Sequence, residues 1–413
     1  MKLSSVAQPV LSLCSAAVIL AACGSQSARS PFAIAPESFQ RSIEQRSTAT
    51  YSVLLNFDGS DGAYPDANLI GLHGALYGMT PAGGRGCKKR GCGTVFSVTT
   101  AGEQHMIYRF RDPRTRGRGP AGRMLFLKGT FYGTTAVGGD RYAGTVFSLT
   151  TDGSERVLHS FGPAPDGLYP NAGLTALNGV LYGTTTTGGS DDAGTVFSIT
   201  TDGNEVPLYS FQGFSGGPDG ANPAGELLGA NGVLYGTTVG GGKQLWGTVF
   251  KITTSGTETV LHQFNGGTDG YYPDSGLIAL NGKFYGTTQR GGDSHLCRSG
   301  GEVGCGAVYE ITSSGKESVL YRFKGGTDGQ FPEAPLVVLN GALYGTTSLG
   351  GANGFGTIFR VTTDGKESVL YSFAGTSDGQ YPYAGLTKLN GTLYGMTSSG
   401  GTNGYGTIFA LTP

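Results

Sequence analysis

From residue 51 to the end, apolar and polar positions change over in runs of four to seven residues, and no stretch carries the period of a helix. One unit shows the pattern. Leu174 to Leu177, Leu181 to Thr185, Thr195 to Thr200 and Glu205 to Phe211 are rich in strand-forming residues and separated by turn signals. Asn-Gly stands between the first and second runs at Asn178-Gly179, Asn231-Gly232, Asn281-Gly282, Asn340-Gly341 and Asn390-Gly391. Both residues accept positive φ, which makes this pair the strongest short hairpin signal. Asp-Gly or Ser-Gly stands between the third and fourth runs, as at Asp152-Gly153, Ser255-Gly256 and Asp364-Gly365. The pattern predicts four antiparallel strands per unit.

The unit recurs seven times. The Tyr of Leu-Tyr-Gly-Thr-Thr returns at Tyr77, Tyr132, Tyr182, Tyr235, Tyr285, Tyr344 and Tyr394. Gly-Thr-Val/Ile-Phe ends at Phe96, Phe147, Phe197, Phe250, Tyr309, Phe359 and Phe409, and an aliphatic-Tyr/His-x-Phe run ends at Phe57, Phe110, Phe161, Phe211, Phe264, Phe323 and Phe373. Successive Tyr anchors lie 50 to 59 residues apart, the size of one four-stranded propeller blade. The array opens on a fourth-type strand, Ser52 to Phe57, and closes on a third-type strand, Thr407 to Thr412. That offset lets the N-terminal strand complete the last blade, leaving no open sheet edge. Runs such as Thr-Val-Phe-Ser-Ile-Thr are apolar on both faces, as a sheet packed between two neighbours requires. The expected fold is all-β: a seven-bladed β-propeller over 49–413, its ring closed by the N-terminal strand.

The elements Tyr-Pro-x-Ala-Gly-Leu, Leu-Asn-Gly-x-Leu-Tyr-Gly-Thr-Thr, Gly-Gly and Gly-Thr-Val-Phe, seen with small variations in residues 381–409, resemble the GloVer tandem repeat of exported bacterial proteins. The resemblance covers essentially all of 51–412. It implies an exported, surface-anchored protein and brings no activity with it. The Gly-Gly doublet gives a more distant likeness to kelch repeats, although the kelch Trp is absent and Trp246 is the only Trp.

Composition sharpens this picture. Of 413 residues, 75 are Gly and only 14% are charged, yet 38% are hydrophobic and the chain holds 21 Tyr and 21 Phe. So many apolar and aromatic residues exclude a disordered low-complexity chain, and the glycines are read as turn punctuation. The net charge of −1 gives no chain-wide attraction to nucleic acid or to a membrane surface. At the N-terminus, Met1 and Lys2 precede an apolar stretch ending in Leu20-Ala21-Ala22-Cys23. It is too short for a comfortable membrane span and reads as an export signal. The run resembles the lipobox of bacterial lipoproteins. That likeness implies a signal peptide over 1–22, lipidation of Cys23, and residence in the bacterial cell envelope at the outer membrane or cell surface. An ordinary secretory signal is the alternative. Residues 23–48, rich in Ser, Gln, Arg and Ala, suit a flexible spacer.

Function is expected on one face. The first-to-second and third-to-fourth turns are uniformly tight, whereas the second-to-third loops and the blade-to-blade links opposite them are long and variable. Asp-Gly-x-Tyr/Phe-Pro fills five links, at Asp61 to Pro65, Asp166 to Pro170, Asp269 to Pro273, Asp328 to Pro332 and Asp378 to Pro382, with a variant at Asp219 to Pro223. A turn-building role explains it better than a ring of sugar or calcium ligands: Asp caps, Gly takes positive φ and Pro fixes the strand start. Cys87 and Cys92 fall in the second-to-third loop of the first unit, and Cys297 and Cys305 in that of the fifth. Two local disulfides in an oxidising compartment fit this register better than a metal site, because C-x-x-C spacing is absent.

Departures from the repeat mark candidate chemistry. Residues 85–123 hold ten of the 28 basic residues against only Glu103 and Asp112. Arg85, Lys88, Lys89, Arg90, Arg111, Arg114, Arg116, Arg118 and Arg123 make up a candidate anion patch for an acidic polysaccharide, lipid phosphates or another polyanion, with a solvated basic loop as the alternative. Nucleic acid is not expected, since no aromatic-interleaved motif accompanies the patch. Asp66, Asn68, Asn171, Glu226, Asp274, Glu333 and Tyr383 are placed at the start of the innermost strands, where they would line the channel mouth and offer oxygens to an ion such as Ca²⁺. No resident cofactor is otherwise expected, and no catalytic motif or metal-His cluster is visible. The leading expectation is a lipid-anchored module that binds a surface glycan or protein partner. A carbohydrate lyase or hydrolase built on Asp66, Arg123, Glu226, Asp274 and Glu333, or a structural envelope protein, are the alternatives.

Overall fold

A computed structural model describes residues 49–87, 90–213, 219–292, 297–298 and 303–413. The expected signal over 1–22, Cys23, the expected spacer over 23–48, Lys88 and Lys89 lie outside the described residues. Ser47–Pro413 forms one compact unit. Seven antiparallel sheets, four strands each in the path from axis to rim, make the seven blades of a β-propeller. Among the described residues no helix is long and apolar enough to cross a membrane.

Blade three shows how the sequence builds a sheet. Its strands are Thr175–Leu177, Val180–Thr185, Thr195–Ile199 and Glu205–Ser210, paired in that order. The turn at Asn178 and Gly179 takes φ of 54° and 82°, as a two-residue hairpin with right-handed strand twist demands. Across the second and third strands Gly183 faces Phe197. A Cβ on Gly183 would lie 2.5 Å from the Phe197 ring, so the glycine of Tyr-Gly-Thr-Thr exists to seat the phenylalanine of Gly-Thr-Val-Phe. Phe197 is wholly buried and packs edge-on against Phe161 of blade two. The two signature motifs are therefore one packing unit, repeated between neighbouring blades. Beside it, the hydroxyls of Thr185 and Thr195 bond at 2.8 Å. Five other blades repeat this pair, from Thr80–Thr94 to Thr397–Thr407.

Blade five departs from the rule. Ala307 stands where the others have Thr, so among the described residues the buried Thr288 hydroxyl has no partner, and Tyr309 replaces Phe with its own hydroxyl likewise buried and unpartnered. Blade five also carries the Cys297–Cys305 disulfide, while Cys87–Cys92 lies in blade one. Blade two has an inner strand lengthened to Arg118–Leu127 by a bulge between Ala121 and Leu125.

The ring closes as the strand offset predicts. Thr50–Asn56 pairs with Thr407–Thr412 as the outer strand of blade seven. Side chains lock the seam: Asn56 Oδ1 accepts from Thr402 N at 2.9 Å, and Asn403 Nδ2 donates to the Phe57 carbonyl at 3.1 Å.

Candidate functional site

The links and second-to-third loops share one face, joined within blades by bridges such as Ala63–Ala82, Gln330–Leu349 and Gln380–Ser399. In six links the Asp caps its own turn. Asp166 Oδ2 accepts from Gly162 N at 2.9 Å and Asp378 Oδ2 from Ala374 N at 2.8 Å, and Asp61, Asp219, Asp269 and Asp328 do the same. The residue before each link Pro has a second task. Tyr64, Tyr169, Asn222, Tyr272, Phe331 and Tyr381 all take φ between 56° and 62°. Bulky residues rarely occupy this left-handed region. Here it turns each N–H toward the preceding blade, where Tyr64 N reaches Tyr405 O at 2.9 Å, Tyr169 N reaches Ala143 O at 2.8 Å and Tyr381 N reaches Phe355 O at 3.0 Å. The motif stitches blades together, in keeping with a turn-building role.

Above the inner strands, one cavity of about 460 Å³ is lined by Asp66, Asn68, Asn171, Glu226, Asp274, Glu333 and Tyr383 together. All seven residues expected at the channel mouth are there, but not all are free. Asn68 Oδ1 accepts from Gly385 N across the closing seam, Asn171 Nδ2 donates to Thr186 Oγ1 at 3.0 Å, and Gln289 Nε2 donates to Glu333 Oε1 at 2.7 Å. Glu226 is engaged more fully. Arg123 reaches from blade two to blade four, its Nε and Nη2 donating to Glu226 Oε2 and Oε1 at 3.1 and 2.7 Å. This two-pronged pair lines both the mouth and the channel below it. It removes Arg123 from the basic loops, and the carboxylate holds the guanidinium pKa above its usual value.

The remaining acids, Asp66 and Asp274 with the Gln289-bonded Glu333, sit on the other side of the mouth. Asp66 keeps contact with solvent on the channel wall, but the protein around it partly desolvates its carboxyl and pushes its pKa up to about 6. Burial raises Asp274 and Glu333 too, and the charge of Asp274 adds to the rise at Glu333. The mouth is thus acidic from blade five around to blade one, with Tyr383, about two-fifths exposed, between the acids.

The remaining basic residues form a separate patch. Arg85 and Arg90 line a hollow with Asp58, Tyr64 and Tyr405. Arg111 and Arg116 line another beside Tyr108. The disulfide loop ties the two segments together: Cys87 Sγ lies 3.5 Å from the Arg111 carbonyl oxygen and Gly119 N donates to the Cys92 carbonyl at 2.9 Å. Arg116 occupies the link position that is Asp in the other six blades, and it pairs with Glu155. Arg114 Nε donates to Tyr142 Oη at 3.0 Å. Arg85, Arg90, Arg111 and Arg118 are exposed, and among the described residues none of them has a carboxylate partner.

A family model described as the Gloeobacter/Verrucomicrobia repeat matches residues 86–298 and 294–413. The chain belongs to this family. In this member of the Gloeobacter/Verrucomicrobia repeat family, one repeat supplies the inner, second and third strands of a blade plus the outer strand that follows. A search of curated proteins finds no match. Among solved structures, the chain is similar to a gluconolactonase of Xanthomonas campestris at 11% identity, covering 72% of this chain and 86% of that one, with a TM-score of 0.42. It is similar to a puromycin hydrolase at 13% identity, 82% and 50% coverage and a TM-score of 0.49. A sialidase of Trypanosoma rangeli matches at 10% identity, 88% and 59% coverage and a TM-score of 0.45. Such values carry no argument about the chemistry of this repeat protein.

Sequence reasoning missed one repeated group. The outer strand opens on Glu155, Glu205, Glu258, Glu317 and Glu367; Glu155 accepts from Tyr108 of the preceding blade, Glu205 and Glu317 lie beside His159 and His262, and Glu258 and Glu367 act electrostatically on Tyr209 and Tyr321. The signal was present: these acids stand two residues after the Gly of the third-to-fourth turn.

Proposed function

We propose that this protein is an exported, lipid-anchored binding module whose link face takes an acidic glycan or similar polyanion at the arginines around the Cys87–Cys92 disulfide. One observation carries the reading: Arg85, Arg90, Arg111 and Arg118 stand exposed with no carboxylate partner among the described residues, whereas Arg116 and Arg123 on the same segment are paired. Unpaired guanidinium forks suit sulfate, phosphate or carboxylate groups spaced along a polymer. The acids of the channel mouth repel the same ligand, which directs it to the rim over blades one and two. The two disulfides fit an oxidising compartment, and Cys23 is the proposed lipidation site.

The test is binding of the purified protein to arrayed envelope glycans and polyanions, beside a variant with Arg85, Arg90, Arg111 and Arg118 changed to Ser. Binding that weakens with salt and falls at least tenfold in the variant supports the proposal. Equal binding by both proteins rejects it. A second reading, a carbohydrate-active enzyme, draws on the neighbouring Asp274 and Glu333, whose raised pKa values suit an acid–base pair. Polysaccharide cleavage lost in Asp274→Asn but kept in the arginine variant selects it.

A further inference from the structure

One polar cluster recurs between successive blades. It joins the residue two before the Phe that ends the outer strand, the residue before the link Gly, and the first residue of the next blade's outer strand. In two interfaces the members are Tyr209, Asp219 and Glu258, and Tyr321, Asp328 and Glu367. There the phenol donates its proton to the link acid, at 2.7 Å in both. In two others the phenol is replaced by imidazole: His159 with Asp166 and Glu205, and His262 with Asp269 and Glu317. One ligand atom from each member of these triads lies within 4.8 Å of the other two.

We propose that these two His–Asp–Glu triads are divalent-metal sites, for zinc or a neighbouring first-row ion, that clamp blade two to blade three and blade four to blade five. The donor set is one nitrogen and two carboxylates, a normal complement for such ions. Ligand atoms bound at about 2.0–2.2 Å in a tetrahedron stand about 3.3–3.6 Å apart. His262 Nε2 and Asp269 Oδ2 are 3.3 Å apart, and His159 Nε2 and Asp166 Oδ2 are 3.0 Å apart. The glutamate completes each set by a side-chain rotation.

Two further observations favour an ion. In each triad the aspartate and glutamate oxygens stand within 4.8 Å of one another, a repulsion that a bound cation relieves. The aspartates are also held in place, as metal ligands are by their outer partners: Asp166 accepts from Gly162 N and Gly167 N, and Asp269 from Asn265 N. The His and Asp side chains keep 17% to 23% of their surface exposed, which gives an ion a way in and a water a fourth position.

The proposal is independent of the anion patch, and the fold supplies its own control. His159→Tyr and His262→Tyr install the residue that other interfaces already carry, so these variants keep the ring. Equilibrium dialysis against Zn²⁺ with elemental analysis should give two more equivalents in the wild type than in the double variant, and one more than in each single variant. Zn²⁺ should raise the wild-type Tm by several degrees and leave that of the double variant unmoved. Glu205→Gln with Glu317→Gln should weaken the same two equivalents at least tenfold. Equal zinc uptake by the wild type and the double variant overturns the proposal. Uptake untouched by the glutamate changes overturns the three-ligand assignment.

Discussion

Tyr309 and Ala307 show what one residue costs when a repeat sets the standard around it. Both depart from their equivalents, and each leaves a buried hydroxyl without a partner, on Tyr309 itself and on Thr288. An unsatisfied buried polar group costs about 1–3 kcal/mol. Tyr309→Phe and Ala307→Thr should therefore each stabilise the protein by about 1 kcal/mol, read as a higher denaturation midpoint at unchanged slope. The interface acids make a different prediction. Burial pushes Glu258 up to about 7 and Glu367 up to about 8. A carboxyl with a raised folded-state pKa holds its proton to higher pH than in the unfolded chain. The folded state then binds more protons between about pH 4.5 and 8, and stability falls as pH rises through that window. The propeller should melt several degrees higher at pH 5 than at pH 8, with the slope reduced in Glu258→Gln.

At the scale of the strand and turn, glycines of one motif do two different jobs. Gly391, in the hairpin turn of blade seven, has φ of +82° and open space around a would-be Cβ, so Gly391→Ala meets backbone strain alone. Gly395 lies four residues on in the adjoining strand, where a Cβ would sit 2.4 Å from the Phe409 ring. Gly391→Ala should cost about 1 kcal/mol and Gly395→Ala about 3 kcal/mol or more, measured by urea denaturation. This contrast also explains how far the chain could be read. Strands, hairpins and blade register follow from local composition, and the channel-mouth residues follow from register, so Asp66, Asp274 and Glu333 were placed together from sequence. Pairings across the ring do not follow. Arg123 and Glu226 lie a hundred residues apart, and nothing local to either shows that a side chain from blade two crosses to blade four. The outer-strand glutamates were visible as a period, but their meaning needed the neighbouring blade.

For the whole molecule, stability rests on a seam made by the two ends of the propeller. Without residues 1–57 blade seven loses its outer strand, exposing the edge of Thr407–Thr412 together with the Asn403 and Thr402 contacts. Such a truncation should lower Tm by ten degrees or more and drive aggregation, seen by light scattering. Restoring the strand as a fusion after Pro413 should recover both. The same seam sets the order in which the structure can be completed. A chain that leaves a ribosome or a translocation pore from its N-terminus delivers Thr50–Asn56 first and its partner Thr407–Thr412 last. Blades one to six can form as they emerge, but the first strand waits unpaired until Thr407–Thr412 is out. Ring closure is thereby coupled to delivery of Thr407–Thr412, and a chain cut short before that strand is left with an open edge that quality-control proteases can recognise.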